Sequence, residues 1–479
     1  MKLALQDLGM FQLVFVFTAT STLIGTLSCA APDSPPSESP EPPASFSETP
    51  KEGPAVVPLP AADPKFAKAP EPQEPGTPIE IERTTRVFAT PSRDSHVLGV
   101  VNRGARVKKV GESDVATCGQ GWIEIAPAGW VCTKTSATDE ALTTNALPRL
   151  DRRRAVPGTA GTVRDGRWAY ADADAVRRAD GKDAGGRRVR MAETIRIGDT
   201  IYWETQAGEL VAARDVRRSR GSSFEGVFLD DESELRLPIA FAHKERARKS
   251  TVAIYDEPGG RRIGKLDPRE AINIAHTTHN GRWIQLESDG WISGRDARLA
   301  ELAAPPKTVG AEEPWIDFNR DTQVIVLYRG AQPIYATLTS SGKYGHRTPV
   351  GVYRVEKKVA KTTMNSRPDA EEPYEVKNVP WALFFHHGFA VHGAYWHNKF
   401  GTPISHGCLN LAPTDAKHVY ELLGPEVPAG WSVATATFEN PGGVVRVKTK
   451  KTPDPELRGS AAAYAESLKR KSPPVVARN

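Results

Sequence analysis

The sequence predicts a mainly β, multidomain protein with one or more short helices. Three observations carry this. First, stretches that alternate apolar and polar residues around a Gly turn recur along the chain, as in Trp122 to Val131 and Trp283 to Ile292; such alternation is the mark of a half-buried β-hairpin. Second, short alternating runs such as Val324 to Tyr328 and Val350 to Tyr353 continue the pattern toward the C-terminus. Third, helical spacing stands out over Pro413 to Leu423, where Ala416, Val419, Leu422 and Leu423 share a face and Thr414 or Asp415 is placed to cap the start. At 479 residues the chain exceeds one hydrophobic core and divides into three or four domains.

Taken in order, residues 1–29 resemble a secretory signal peptide. Lys2 precedes a short, hydroxyl-rich apolar segment, Leu13 to Leu27, and Thr26-Leu27-Ser28-Cys29 is similar to a bacterial lipobox. That resemblance implies diacylglyceryl modification of Cys29, with ordinary cleavage after Ala30 as the competing reading. Residues 30–78 are rich in Pro, Ser, Glu and Ala and have too few large apolar side chains to build a core, so they read as a disordered tether. The implied localisation is the cell envelope, in the periplasm, anchored to the outer membrane as a lipoprotein.

The two hairpin stretches lie in segments 79–140 and 248–302. A weaker copy, Tyr202 to Val211, lies in 150–240, the least legible part of the chain, which reads as a degenerate copy or another β-rich domain. The tails Ala213-Arg214-Asp215 and Gly294-Arg295-Asp296 also echo each other. These repeats resemble bacterial SH3-like barrels. Trp122, Trp130, Trp283 and Trp291 read as barrel core and hairpin partners, with a groove for wall peptide or glycan as the alternative. Cys118 and Cys132 share the first module, and export makes a disulfide between them possible. Residues 441–479, with Lys448-Thr449-Lys450-Lys451 and Lys469-Arg470-Lys471, read as a basic disordered tail. A net charge of +5 is small for this length and no basic stripe interleaved with aromatics appears, which argues against nucleic acid as a partner.

The chemistry concentrates in His392-Gly393-Ala394-Tyr395-Trp396 and Ser405-His406-Gly407-Cys408-Leu409-Asn410. A thiol becomes a strong nucleophile only as thiolate, and a neighbouring imidazole can take its proton. Gly407 lets the backbone approach a substrate carbonyl, and the N–H groups of Gly407 and Cys408 are candidate oxyanion donors. Zinc held by the several histidines and Cys408 is the rival reading, but neither HExxH nor CxxC spacing occurs, so neither metal nor cofactor is expected.

These two motifs, with Ser340 to Tyr353 upstream, resemble the catalytic signature of the L,D-transpeptidases (YkuD-type) over about 310–438. The resemblance implies a β-rich catalytic domain. It makes Cys408 the nucleophile and His392 the general base, oriented by the Gly393 carbonyl. It also places His406 against the acyl pocket, gives Ser405 the role of fixing the loop, and sets Tyr395 and Trp396 as the wall of the acyl-donor pocket. Asn410, which the resemblance counts among the substrate-binding residues, stands where many members carry Arg and offers only neutral hydrogen bonds, so a substrate carboxylate would be gripped from elsewhere, with Arg347 and Lys343 as candidates. The implied partners are peptidoglycan stem peptides, with carbapenem-type inhibitors expected to acylate Cys408. The implied reaction forms 3–3 cross-links between diaminopimelate residues through a cysteine thioester. L,D-carboxypeptidase activity, anchoring of a protein to the wall and a non-catalytic wall-binding adaptor are the alternatives.

Overall fold

A computed structural model of the chain describes residues 76–144, 160–219, 221–229, 232–244, 250–366 and 374–471, together with the two-residue strand Ser45–Phe46. Cys29, most of the Pro-rich tether and the arginine run 152–154 lie outside the described residues.

Three successive stretches each arrange seven strands in the same order, the first as one end of a larger sheet. The first runs from Thr77–Ile81 to Thr135–Ala137, the second from Ala160–Val163 to Val216–Arg218, and the third from Ile239–Ala242 to Ala297–Ala300. Numbered along the chain within each module, the strands lie side by side as 3-2-6-5-4-1-7. The middle stretch is therefore a full copy of the same topology. Its hairpin pairs Trp203 with Val211, as the others pair Ile123 with Val131 and Ile284 with Ile292. The echoed tails Ala213–Asp215 and Gly294–Asp296 are both single 3₁₀ turns leading into the seventh strand.

Domain limits shift accordingly. The second sheet ends at Arg218, and the stretch after it serves other domains: Val227–Phe228 pairs with Gln332–Leu338, and Ile239–Ala242 opens the third module. In the first module Cys118 and Cys132 are disulfide-bonded, beside Phe88 and Trp122.

The C-terminal region is built from two facing sheets. One is six-stranded, in the order Val227–Phe228, Gln332–Leu338, Val324–Arg329, Pro314–Asn319, Val444–Lys448, Gly351–Arg354. The other contains Leu409–Leu411, Phe389–Gly393, Glu375–His386, Lys357–Asn365 and Trp431–Thr435. Ile316, Phe318, Ile325 and Leu327 of the first sheet meet Trp381, Leu383, Val391 and Leu409 of the second in one core. The helix Pro413–Leu422 covers it with Ala416, Val419 and Tyr420. Pro413 at the helix start suits a position whose N–H needs no partner. The expected cap is absent: Ala412 precedes the helix, and Asp415 turns inward to accept from Tyr335, Thr337 and Gly226 N.

The tail expectation is corrected. Val444–Lys448 is an interior strand, parallel to Pro314–Asn319, and Ser460–Lys471 is helical. Val444, Val445 and Val447 enter the cores, while Arg446 and Lys448 both reach the buried Asp317 at 2.6 Å. Their charge is matched inside the protein and not by water, which composition alone does not reveal.

The modules do not hang free. The other face of the six-stranded sheet, with Trp315, Val324, Val326 and Tyr328, packs on Ile239, Phe241 and Ala300 of the third module. Burial on both faces explains the continuous apolar run Val324 to Tyr328. The first module joins by strand pairing: Val97–Val101 lines up with Trp431–Thr435. There Gly99 is required, because a Cβ would run into Val433 O and the Trp431 ring.

Candidate active site

Cys408 sits just before Leu409–Leu411, which runs parallel to Phe389–Gly393 with His392 opposite Asn410. Adjacent parallel strands thus bring together the two halves of the motif. Both key side chains are buried, Cys408 at 6% and His392 at 2% exposure. Burial pushes the Cys408 thiol up to about 11, partly offset by the Ala390 backbone, and holds His392 down to about 4, partly offset by its contact with Gly393. The resting pair is therefore an uncharged thiol and a neutral imidazole over the ordinary pH range.

Neighbours fix the imidazole. Its Nδ1 lies 3.3 Å from Gly393 O, and its ring stacks on Trp396 at 5.8 Å between centroids. A nitrogen that donates to a carbonyl leaves Nε2 as the basic one. Tyr395 packs edge-on against Trp396 and lies in one apolar cluster with Cys408.

The loop around Cys408 is held from within and from the upstream motif. Ser405 Oγ donates to Cys408 O at 2.7 Å and accepts from Gly407 N at 3.0 Å. Thr348 Oγ1 donates to Gly407 O at 2.7 Å, and Gly342 N donates to Thr348 Oγ1 at 3.2 Å. Backbone bridges join Ser340 to Asn410 and Gly342 to Ser405. His406 lies against His346 and stacks on Tyr374, and the Cys408 thiol lies close enough to Tyr374 to help raise its phenol.

Three expectations need amending. The Gly407 N–H donates to Ser405 Oγ at 3.0 Å and is not free for an oxyanion. Asn410 is only 4% exposed, and its Nδ2 donates to His397 Nε2 at 3.0 Å, so it ties down the chain before Cys408 and does not face a ligand carboxylate. Tyr395 turns its hydroxyl to Lys377 O at 2.7 Å, and Gln206 Nε2 of the second module donates to that hydroxyl at 3.3 Å.

A family profile describing the YkuD L,D-transpeptidase catalytic domain matches residues 313–448. The chain carries an L,D-transpeptidase catalytic domain. YciB of Bacillus subtilis (strain 168), which bears an L,D-transpeptidase name, is 31% identical over 121 residues, 22% of this chain. The chain spans 59% of that relative's length. Among solved structures, the catalytic domain of the E. faecium L,D-transpeptidase acylated by ertapenem is 24% identical, covering 29% of this chain and 99% of its own, with a TM-score of 0.23. An L,D-transpeptidase from Mycobacterium smegmatis is 19% identical, covering 49% and 89%, with a TM-score of 0.24.

The profile's end at 448 coincides with the strand Val444–Lys448, so the catalytic domain closes beyond the expected limit of 438. Sequence reasoning also missed what Thr348, His397 and Gln206 hold in place. The first lies in the upstream motif and could have been picked out by its Thr-Pro pair. The other two act through contacts that no local pattern signals.

Proposed function

We propose that the protein is a cysteine-dependent peptidoglycan L,D-transpeptidase, with Cys408 as nucleophile and His392 as general base. The observation that carries this is the arrangement of both residues, buried and uncharged, with His392 on one of two paired parallel strands and Cys408 immediately before the other, inside a domain of this family.

The reaction follows from those charge states. A buried thiol held near 11 is almost wholly protonated at neutral pH, so attack needs its proton removed in the same step. As sulfur bonds to the carbonyl carbon of the donor's diaminopimelate, His392 Nε2 takes the thiol proton. The Cys408 N–H receives the oxyanion. Collapse breaks the amide bond, His392 returns the proton to the leaving amine, and D-Ala departs, leaving a thioester. An acceptor amine then attacks the thioester, its proton passes through His392 to sulfur, and a 3–3 cross-link is released with free Cys408. Stem peptides are the substrate class and carbapenems the expected inhibitors. Cys29 would anchor the enzyme by lipid in the envelope, and the three modules are read as SH3-like units near the wall.

Product analysis tests the proposal. The full chain is required, because the outer face of the six-stranded sheet is buried against the third module. Incubation with disaccharide-tetrapeptide is expected to give dimers and free D-Ala, both absent for Cys408→Ala. Monomeric tripeptide without dimer would make the protein an L,D-carboxypeptidase, and no product would overturn the enzymatic reading.

A further inference from the structure

The segment that joins the base to the nucleophile, residues 394–404, is gripped from outside the catalytic domain. Arg269 Nη1 donates to Asn398 Oδ1 at 2.6 Å, and its Nη2 donates to Asn398 O at 2.8 Å. Arg298 Nε donates to Gly401 O at 2.9 Å, and His243 Nε2 approaches Phe400 O at 3.0 Å. All three side chains belong to the third module or its entry. The connector before it adds Ser222 Oγ, which donates to Asn398 Oδ1 at 2.8 Å, and Phe224, which stacks on Phe400 at 6.4 Å. Arg269 lies over both of those rings.

The fit is close. Gly401 has φ +91°, and a Cβ there would stand 2.5 Å from the His243 ring. His243 is 2% exposed, burial together with the nearby Arg298 and Arg269 charges keeps its imidazole neutral, and with a carbonyl as partner its Nε2 is the donor. On its other side the same segment meets the active site. Gly401 N donates to Thr339 O at 2.8 Å, and Ser340 Oγ donates to Lys399 O at 2.8 Å. His397 packs on Phe400 and receives the Asn410 amide two residues beyond Cys408. Tyr395 and Trp396, at the start of the segment, line His392 and Cys408.

We infer that Arg269, Arg298 and His243 are positioning residues for the Cys408–His392 pair, acting through the loop 394–404. This deepens the proposed reaction and rests on its assignment of base and nucleophile. Asn398 and Lys399 in the middle of this loop are exposed and have no core side chain to hold them, so without the grip this part would sample more arrangements, and small misplacements of a reacting pair are costly in rate. The catalytic domain thus depends on the third module for the geometry of its chemistry as well as for cover over its sheet.

The test uses the full chain with Arg269→Ala, Arg298→Ala, the double variant and Arg298→Lys. Two quantities are read: amide hydrogen exchange in 396–404, and the pH profile of Cys408 alkylation by iodoacetamide, followed by intact mass. Faster loop exchange is expected in the double variant. Alkylation near neutral pH is expected to slow by about tenfold or more, because a buried thiol without an aligned base must give its proton to water. Arg298→Lys should recover part of the rate. Should the double variant fail to fold, Asn398→Ala removes the Oδ1 that Arg269 and Ser222 share on the catalytic side, and faster loop exchange with a smaller slowing of alkylation is expected. Equal alkylation in wild type and variants, zero included, would overturn the inference, as would faster exchange with an unchanged pH profile, which would mark the grip as structural only. Alkylation needs no wall peptide, so a wild-type protein inactive on disaccharide-tetrapeptide would sink the proposed reaction while leaving this result readable.

Discussion

The first and third modules share one strand order but meet the catalytic domain by different physics. The first pairs the backbone of Val97–Val101 with Trp431–Thr435, far along the chain from the catalytic motif, and seats Trp431 in its own core. The third uses side chains, which reach the loop between His392 and Cys408. A backbone join fixes register through its hydrogen-bond ladder and the close fit of Gly99 against Trp431, and it transmits little to a site it does not touch. A side-chain grip is weaker per contact but is placed where small shifts matter for chemistry. The same fold therefore serves as a structural extension at one end and as a brace at the other.

The parallel strand Val444–Lys448 combines both devices, and breaking it should have the largest effect. Asp317→Ala removes the carboxylate that Arg446 and Lys448 share inside the protein. Arg446 left buried without its counter-charge, beside the partly buried Lys448, is expected to cost about 3–5 kcal/mol of stability, measured by chemical denaturation. Reduction of the Cys118–Cys132 bridge comes next. It closes a short loop in the first module, so its loss should lower that module's stability by ~3 kcal/mol in the chain-entropy model. Thiol chemistry at Cys408 should stay as it was, seen as a shifted melting transition with an unchanged alkylation rate.

The site itself adds a pH term on the alkaline side. Cys408 titrates near 11 in the folded protein against a usual 9.0, so the folded state holds a proton that the unfolded chain releases between those values. Stability should therefore fall as pH rises from about 9 to 11, by of order 2–3 kcal/mol at full development. Cys408→Ala should show a flatter alkaline limb in pH-dependent denaturation, other groups cancelling in the difference. The smallest expected effect comes from Gly99→Val, which forces a side chain against Val433 O and the Trp431 ring. It should destabilise by about 1–3 kcal/mol and leave Cys408 alkylation unchanged. That is the reverse of the Arg298 variants, where reactivity moves and global stability hardly does. If Gly99→Val slowed alkylation as well, the contrast between the two joins would fail.

Much of the site was legible because its chemistry is local. His392, Gly393, Ser405, Gly407 and Cys408 fall in two short motifs, and strand pairing needs only to lay one beside the other. The hairpin turns were legible for the same reason, since alternation around Gly129, Gly208 and Gly290 is a short-range signal. Less legible was the middle module, where Tyr202 replaces the leading Trp and the neighbouring arginines suggest solvent. The strand Val444–Lys448 was hidden by its own charges, which a distant aspartate neutralises. Roles that depend on long-range contact were not legible at all: Asn410 reads as a substrate contact in the motif but donates to His397, and no local pattern marks Arg269 as a partner of Asn398.

The central claim is that acyl transfer runs through the Cys408 sulfur. The most direct measurement is intact mass and peptide mapping of the full-length protein mixed with disaccharide-tetrapeptide and quenched in acid. The account predicts an adduct of the donor minus D-Ala, mapped to Cys408 and absent from Cys408→Ala. Cross-linked product formed equally well by Cys408→Ala, or an adduct on any other residue, would contradict it.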